Sequence, residues 1–171
     1  SFASRRLGVE AGLVHPNIAI NLKMSDPRNQ RQQIEDHIAR EEWFAARDAL
    51  IALWRQQLSP ATANFVIARF EKLRGQLPMT PCRLAILRSF TVEPLVPLLR
   101  AGAFAAGIDL TVQVGDFNAY AQEIFNPDGK LYQFSPDVVI LAVQTRDVAP
   151  ELWDSFTSLS PGEIESALRA E

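Results

Sequence analysis

The chain has 171 residues, 47% of them hydrophobic, with 17 basic side chains against 20 acidic ones and a formal net charge of -3 at pH 7. That length holds one ordinary domain, or a small domain with an appendage, and the apolar share is enough for a packed core. The acidic balance excludes a general nucleic-acid binder, which needs a basic surface against phosphates, and the lone Cys82 excludes an internal disulfide or a multi-cysteine metal site.

Residues 1–29 mix Gly8, Gly12, Pro16 and Pro27 with polar side chains around a brief apolar patch, Ile18 to Leu22, and are expected to form an irregular leader. From residue 30 to 57 the pattern turns helical, with Ile34, Ile38, Phe44, Leu50, Leu53 and Trp54 at spacings of three, four or their sums. Ser25, Asp26 and Pro27 suit its start, and the stretch from Glu41 to Leu50 is placed to open a second helix. Ser59 and Pro60 begin another, as N-cap and first helical residue, running through Phe65, Val66, Phe70 and Leu73 to Gly75. Residues 30–77 therefore read as a helical hairpin of tetratricopeptide type. A single such unit leaves an apolar face uncovered, so it must pack on the rest of the chain as a brace, or offer a peptide-binding or dimerising surface.

Pro78 and Pro81 mark a linker, and residues 78–171 read as an α/β domain. A buried strand is expected over residues 83–87, a helix over 92–106 closed by Gly107, a strand over 108–114, a short helix over 118–125, a turn at Asn126 to Gly129 and a third strand over 137–143. Strands separated by helices imply right-handed crossovers and a small parallel three-layer sheet of flavodoxin-like kind. Ser160, Pro161 and Glu163 start a last helix with a capping box. No strand follows that helix, so the sheet domain is expected to be incomplete at its C-terminal side, its open edge covered by the hairpin, the leader or another copy of the chain, which would be a homodimer.

In a parallel sheet ligands sit at the carboxyl ends of the strands. There the sequence gathers Ser89 and Thr91, then Gly115, Asp116 and Asn118, then Gln144, a candidate rim of hydroxyls, amides and backbone N–H groups. It suits a neutral, hydroxylated or carrier-bound group better than a polyphosphate. Read locally, Ser89 caps the following helix through Thr91, Gly115 makes a turn, and Asn118 caps the next helix. Ser89 as a nucleophile would need a general base, and the histidines, His15 and His37, fall in the leader and the first helix. No catalytic residue and no metal-ligand cluster is assigned. The apolar stretches at 96–108 and 138–143 are too short or too interrupted to span a bilayer, and no signal-peptide core opens the chain. The expectation is a cytoplasmic protein with no membrane and no nucleic-acid partner.

Residues 83–153 resemble the N-terminal region of the FkbH-like proteins, haloacid-dehalogenase superfamily subfamily IIIC. The resemblance rests on Ser89-Phe90-Thr91 with Glu93-Pro94, on Gly107-Ile108-Asp109, on Gly115-Asp116-Phe117-Asn118-Ala119-Tyr120, and on Ser135-Pro136-Asp137-Val138-Val139. It implies an SGNH-hydrolase-like sheet domain joined to a Mg²⁺-dependent phosphatase domain. In that family the enzyme dephosphorylates a phosphoglyceryl donor and loads the glyceryl unit on an acyl carrier protein, for polyketide extender units. The Asp-x-Asp-x-Thr strand that carries this chemistry is absent from the sequence, and so is the SGNH Asp-x-x-His; Gln144 to Asp147 stand where that family has Gly-x-Asn-Asp. The resemblance thus implies a non-catalytic domain with no cofactor of its own, with an acyl carrier protein as partner. The alternatives are a protein-binding scaffold with a degenerate SGNH fold, and an SGNH esterase completed by residues beyond Glu171.

Overall fold

Three strands, β1 (Thr80–Arg88), β2 (Ile108–Phe117) and β3 (Val138–Ala142), form one all-parallel sheet in the order β2-β1-β3 in a computed structural model describing residues 27–148, 150–154 and 156–169. Residues 1–26, which hold most of the expected leader, His15 and the capping residues Ser25 and Asp26, lie outside the described residues. Three helices precede the sheet: α1 (Pro27–Ala39), α2 (Trp43–Gln56) and α3 (Pro60–Leu73). α4 (Val96–Ala105) links β1 to β2, and α5 (Tyr120–Phe125) and α6 (Lys130–Phe134) link β2 to β3. After β3 come α7 (Thr145–Val148), α8 (Pro150–Asp154) and α9 (Pro161–Arg169). The protein is a mixed α/β fold with a helical region at its front.

The helical pattern of residues 30–57 is divided at Glu41, whose φ of 58° ends α1 and turns the chain into α2. Backbone donors close the corner, Glu42 N–H to His37 O at 2.9 Å and Glu41 N–H to Ile38 O at 3.1 Å. α3 begins as its sequence dictates: Ser59 is the N-cap, its hydroxyl accepts the Thr62 N–H at 3.2 Å, and Pro60 follows. Ile34, Leu50, Leu53, Trp54, Val66, Phe70 and Leu73 make the core of this unit, and that core runs on without a break into Ala101 and Phe104 of α4. The Phe70 and Phe104 rings lie 5.0 Å apart, tilted by 44°. Around them Arg74 pairs with Asp109 and Arg100 with Glu71. The apolar face of the helical unit thus packs on α4.

β1 is the central strand and carries Leu84 to Leu87, all buried. Thr80 and Pro81, expected as linker, already belong to β1 and pair with Ile108 and Asp109 of β2. Pro81 is tolerated because β3 joins β1 only from Leu84 onward, so its missing N–H breaks no ladder. Leu84 and Ile86 face α4 with Val92 and Leu110, whereas Ala85 and Leu87 face Leu131 of α6. The helices therefore cover opposite faces, giving three layers.

Asp137 anchors the third strand. Its N–H donates to Arg83 O at 2.8 Å, its carboxylate accepts the Arg83 N–H at 2.7 Å, and the Arg83 side chain reaches Phe134 O. The Ser135-Pro136-Asp137 motif thus has a structural duty, with Ser135 in the left-handed region at φ 52°. β3 itself is bare. In register, Val139 and Leu141 share the face of Ala85 and Leu87, while Val138 and Ile140 share that of Leu84 and Ile86. All four are exposed, between 39% and 56%. No described element covers this edge. No helix among the described residues is long and apolar enough to cross a membrane.

Candidate functional site

The order β2-β1-β3 is the start of the flavodoxin-like arrangement, in which the chain departs to opposite sides of β1 and leaves a crevice at the carboxyl ends of β1 and β3. Ser89 and Gln144 stand at that point. Ser89, 6% exposed, donates its N–H to Ala142 O at 3.0 Å, and its Oγ accepts the Gln144 N–H at 2.9 Å. The hydroxyl is thus tied to the end of β3. It does not cap the helix through Thr91, as its sequence position suggests; the turn at Val92 and Glu93 leads into α4, and its Val92 N–H is taken by the Glu93 carboxylate at 3.0 Å. Thr91 lies exposed in the turn after Ser89.

On the other side of β1, Asn118 donates its N–H to Arg88 O at 3.0 Å. Its φ is 56°, and Ala119 rather than Asn118 occupies the N-cap of α5. Asparagine suits that role because its short polar side chain tolerates the left-handed region. Ser89, Asn118 and Gln144 therefore flank the end of β1.

Gly115 and Asp116 are directed elsewhere. β2 runs through Phe117, so Gly115 is a strand residue and not the expected turn. A Cβ at Gly115 would lie 2.6 Å from Glu123 Oε1, and that oxygen accepts the Asp116 N–H at 2.8 Å. The glycine makes room for a carboxylate, and the Asp116 side chain reaches Lys130 at 3.4 Å on the α5–α6 flank.

Arg88 organises the rim more than any residue selected from the sequence. Its Nε donates to Gly115 O at 3.1 Å, Nη2 pairs with Glu93 at 2.8 Å, and the guanidinium lies 5.7 Å from the Phe117 ring centroid. A strand-end arginine between two apolar runs carries no sequence sign of those partners. Beside Gln144, Thr145 and Arg146 line a cleft with Trp153, which is exposed at 64%. Among the described residues, Arg88 is spent on the fold, whereas Arg146 pairs with its neighbour Asp147, at 3.9 Å.

His37 is paired with Glu42 at the α1–α2 corner. The partner of Ser89 Oγ is a backbone amide, so no base activates it among the described residues. No group of three His, Cys, Asp or Glu side chains among the described residues is placed to hold a metal ion. The family resemblance places Mg²⁺ in a separate phosphatase domain and not among these residues.

No family model and no curated protein matches this chain. Among solved structures, it is similar to the N-terminal part of the protein BF1531 from Bacteroides fragilis, which contains a phosphatase domain and was crystallised with Mg. The identity is 16% and the TM-score 0.41; the match covers 52% of this chain and 23% of that one, so this chain spans less than a quarter of that structure.

Proposed function

We propose that this chain is the N-terminal, non-catalytic domain of an FkbH-like enzyme. That enzyme removes phosphate from a phosphoglyceryl donor and loads the glyceryl unit on an acyl carrier protein, with the Mg²⁺-dependent chemistry in a separate haloacid-dehalogenase domain. The reading rests on the sequence resemblance over residues 83–153. One structural observation supports it above others: β3 has apolar residues exposed on both faces at the edge of a flavodoxin-ordered sheet. Strands of parallel sheets are apolar on both sides because helices cover both. Such a strand at a bare edge fits a domain that further polypeptide completes.

In this reading the rim of Ser89, Thr91, Asn118 and Gln144 meets the substrate or the carrier, while Gly115 and Asp116 shape it from the α5–α6 flank. The test is glyceryl loading of the carrier by the full-length enzyme carrying Asn118→Ala, and separately Ser89→Ala, each checked for unchanged folding. Slower loading with either variant is expected. Unchanged loading with both would leave the domain as a brace.

A further inference from the structure

The helical unit carries a second polar feature, away from the rim, on the seam between α1 and α3. Phe65 of α3 is stacked by two guanidinium groups: Arg69 lies 3.9 Å and Arg31 of α1 lies 4.9 Å from its ring centroid. Arg69 is already engaged, its Nε and Nη2 both donating to Glu35 Oε1, and Lys72 shares the same carboxylate at 3.9 Å. Arg31 is not. Its Nε is buried without a hydrogen-bond partner among the described residues, and the carboxylate one turn along α1 is the one Arg69 and Lys72 hold.

Among the described residues, three cations, Arg31, Arg69 and Lys72, thus stand against one carboxylate, Glu35, a local charge of +2 on a chain of net -3. A guanidinium stacked on an aromatic ring is partly dehydrated and its fork is held in place. Ordering it on binding costs little, and its match is a planar anion able to accept two parallel N–H bonds.

We propose that this seam docks an acidic peptide segment of a protein partner, with one carboxylate on the two terminal amino groups of Arg31. A nucleic acid fits less well, since it needs a longer basic track than these few side chains supply. The inference goes beyond the reading of the rim and does not depend on it.

The experiment is fluorescence anisotropy of the whole chain with a labelled glutamate- and leucine-rich peptide at low and moderate salt. Saturable binding that weakens with salt is expected. Arg31→Ala should weaken it about fivefold to tenfold, Arg31→Lys should restore only part because a lysine has no fork, and Arg55→Ala on α2 should leave it unchanged. Circular dichroism of each variant confirms the fold, and the Arg31→Lys protein keeps the charge if the alanine perturbs packing. Absence of binding, equal affinity for the wild type and Arg31→Ala, or an equal loss with Arg55→Ala would overturn the proposal. So would a labelled oligonucleotide bound as tightly as the peptide and through the same arginine, which would assign the seam to phosphates.

Discussion

The Ser89 hydroxyl accepts the Gln144 backbone N–H at 2.9 Å, joining the carboxyl ends of β1 and β3 across 55 residues of sequence. This bond lies at the switch point of the strand order, where parallel sheets commonly receive ligands. Ser89→Ala removes the acceptor while keeping the backbone bond to Ala142. The expected cost is about 1 kcal/mol, the ordinary net worth of such a bond. Urea unfolding checks it: the midpoint should fall at unchanged slope. An unmoved midpoint would mean that water replaces the hydroxyl without loss.

Phe104 is fully buried and belongs to the core of the helical unit, though it sits on the helix that links β1 to β2. Phe104→Ala should therefore destabilise the helical unit and the sheet together, by about 3–5 kcal/mol. The wild type should unfold in one transition, with tryptophan fluorescence and far-UV circular dichroism coinciding. Two separated transitions would show that the Phe70–Phe104 contact does not couple the parts.

Features set by neighbours in sequence were legible from it, and features set across the chain were not. Ser59 capping α3 and the Ser160–Glu163 box are local hydrogen-bond patterns, and they occur as written. The three strands announce themselves as apolar runs between helices. By contrast α6, α7 and α8 have only four or five residues each, too few for a period to register. Gly115 looks like a turn glycine, and its reason is the Glu123 carboxylate eight residues on. Asn118 looks like a cap but supplies a positive φ, and the ties of Ser89 and Arg88 run to partners 55 and 27 residues away.

At the start of α9 the Ser160 hydroxyl and its N–H both donate to Glu163, at 2.6 and 2.7 Å, and hold its carboxyl below the usual glutamate value. Because the folded value is the lower one, the contribution of the box is complete above the unfolded glutamate range. It is lost as pH falls through the depressed value. Carboxyl NMR titration should place Glu163 below an ordinary glutamate, and carbon shifts of residues 161–169 should lose helicity over the same acidic window. Glu163→Gln should flatten that dependence. A normal titration midpoint would refute the box.

Gly115→Ala sets a methyl against Glu123 Oε1, which stands 2.6 Å from the Cβ position. The carboxylate must swing off the Asp116 N–H, since it is the mobile end of a long side chain. The expected cost is about 1–2 kcal/mol, a lost charge-assisted bond with some repacking. In a double-mutant cycle with Glu123→Ala the two costs should fall well short of additive. Full additivity would place the penalty in the backbone instead.

The edge at β3 yields the sharpest separation between the chain alone and the enzyme proposed to contain it. Val138 and Leu141 lie on opposite faces of the sheet, 47% and 56% exposed. In the 171-residue chain, lysine at either position meets mostly water and should cost about 1 kcal/mol or less, the span of strand propensity. The same charges should suppress self-association, because a bare apolar edge templates pairing between copies. Sedimentation velocity should therefore show concentration-dependent association of the wild-type chain, reduced by Val138→Lys and by Leu141→Lys. In the full-length enzyme both faces of β3 are expected to be covered, so each lysine would be buried without a partner. The cost there should rise to about 2 kcal/mol or more, read as a lower unfolding midpoint. Equal costs in the two proteins, or a wild-type chain that stays monomeric at high concentration, would refute the idea that further polypeptide completes this sheet.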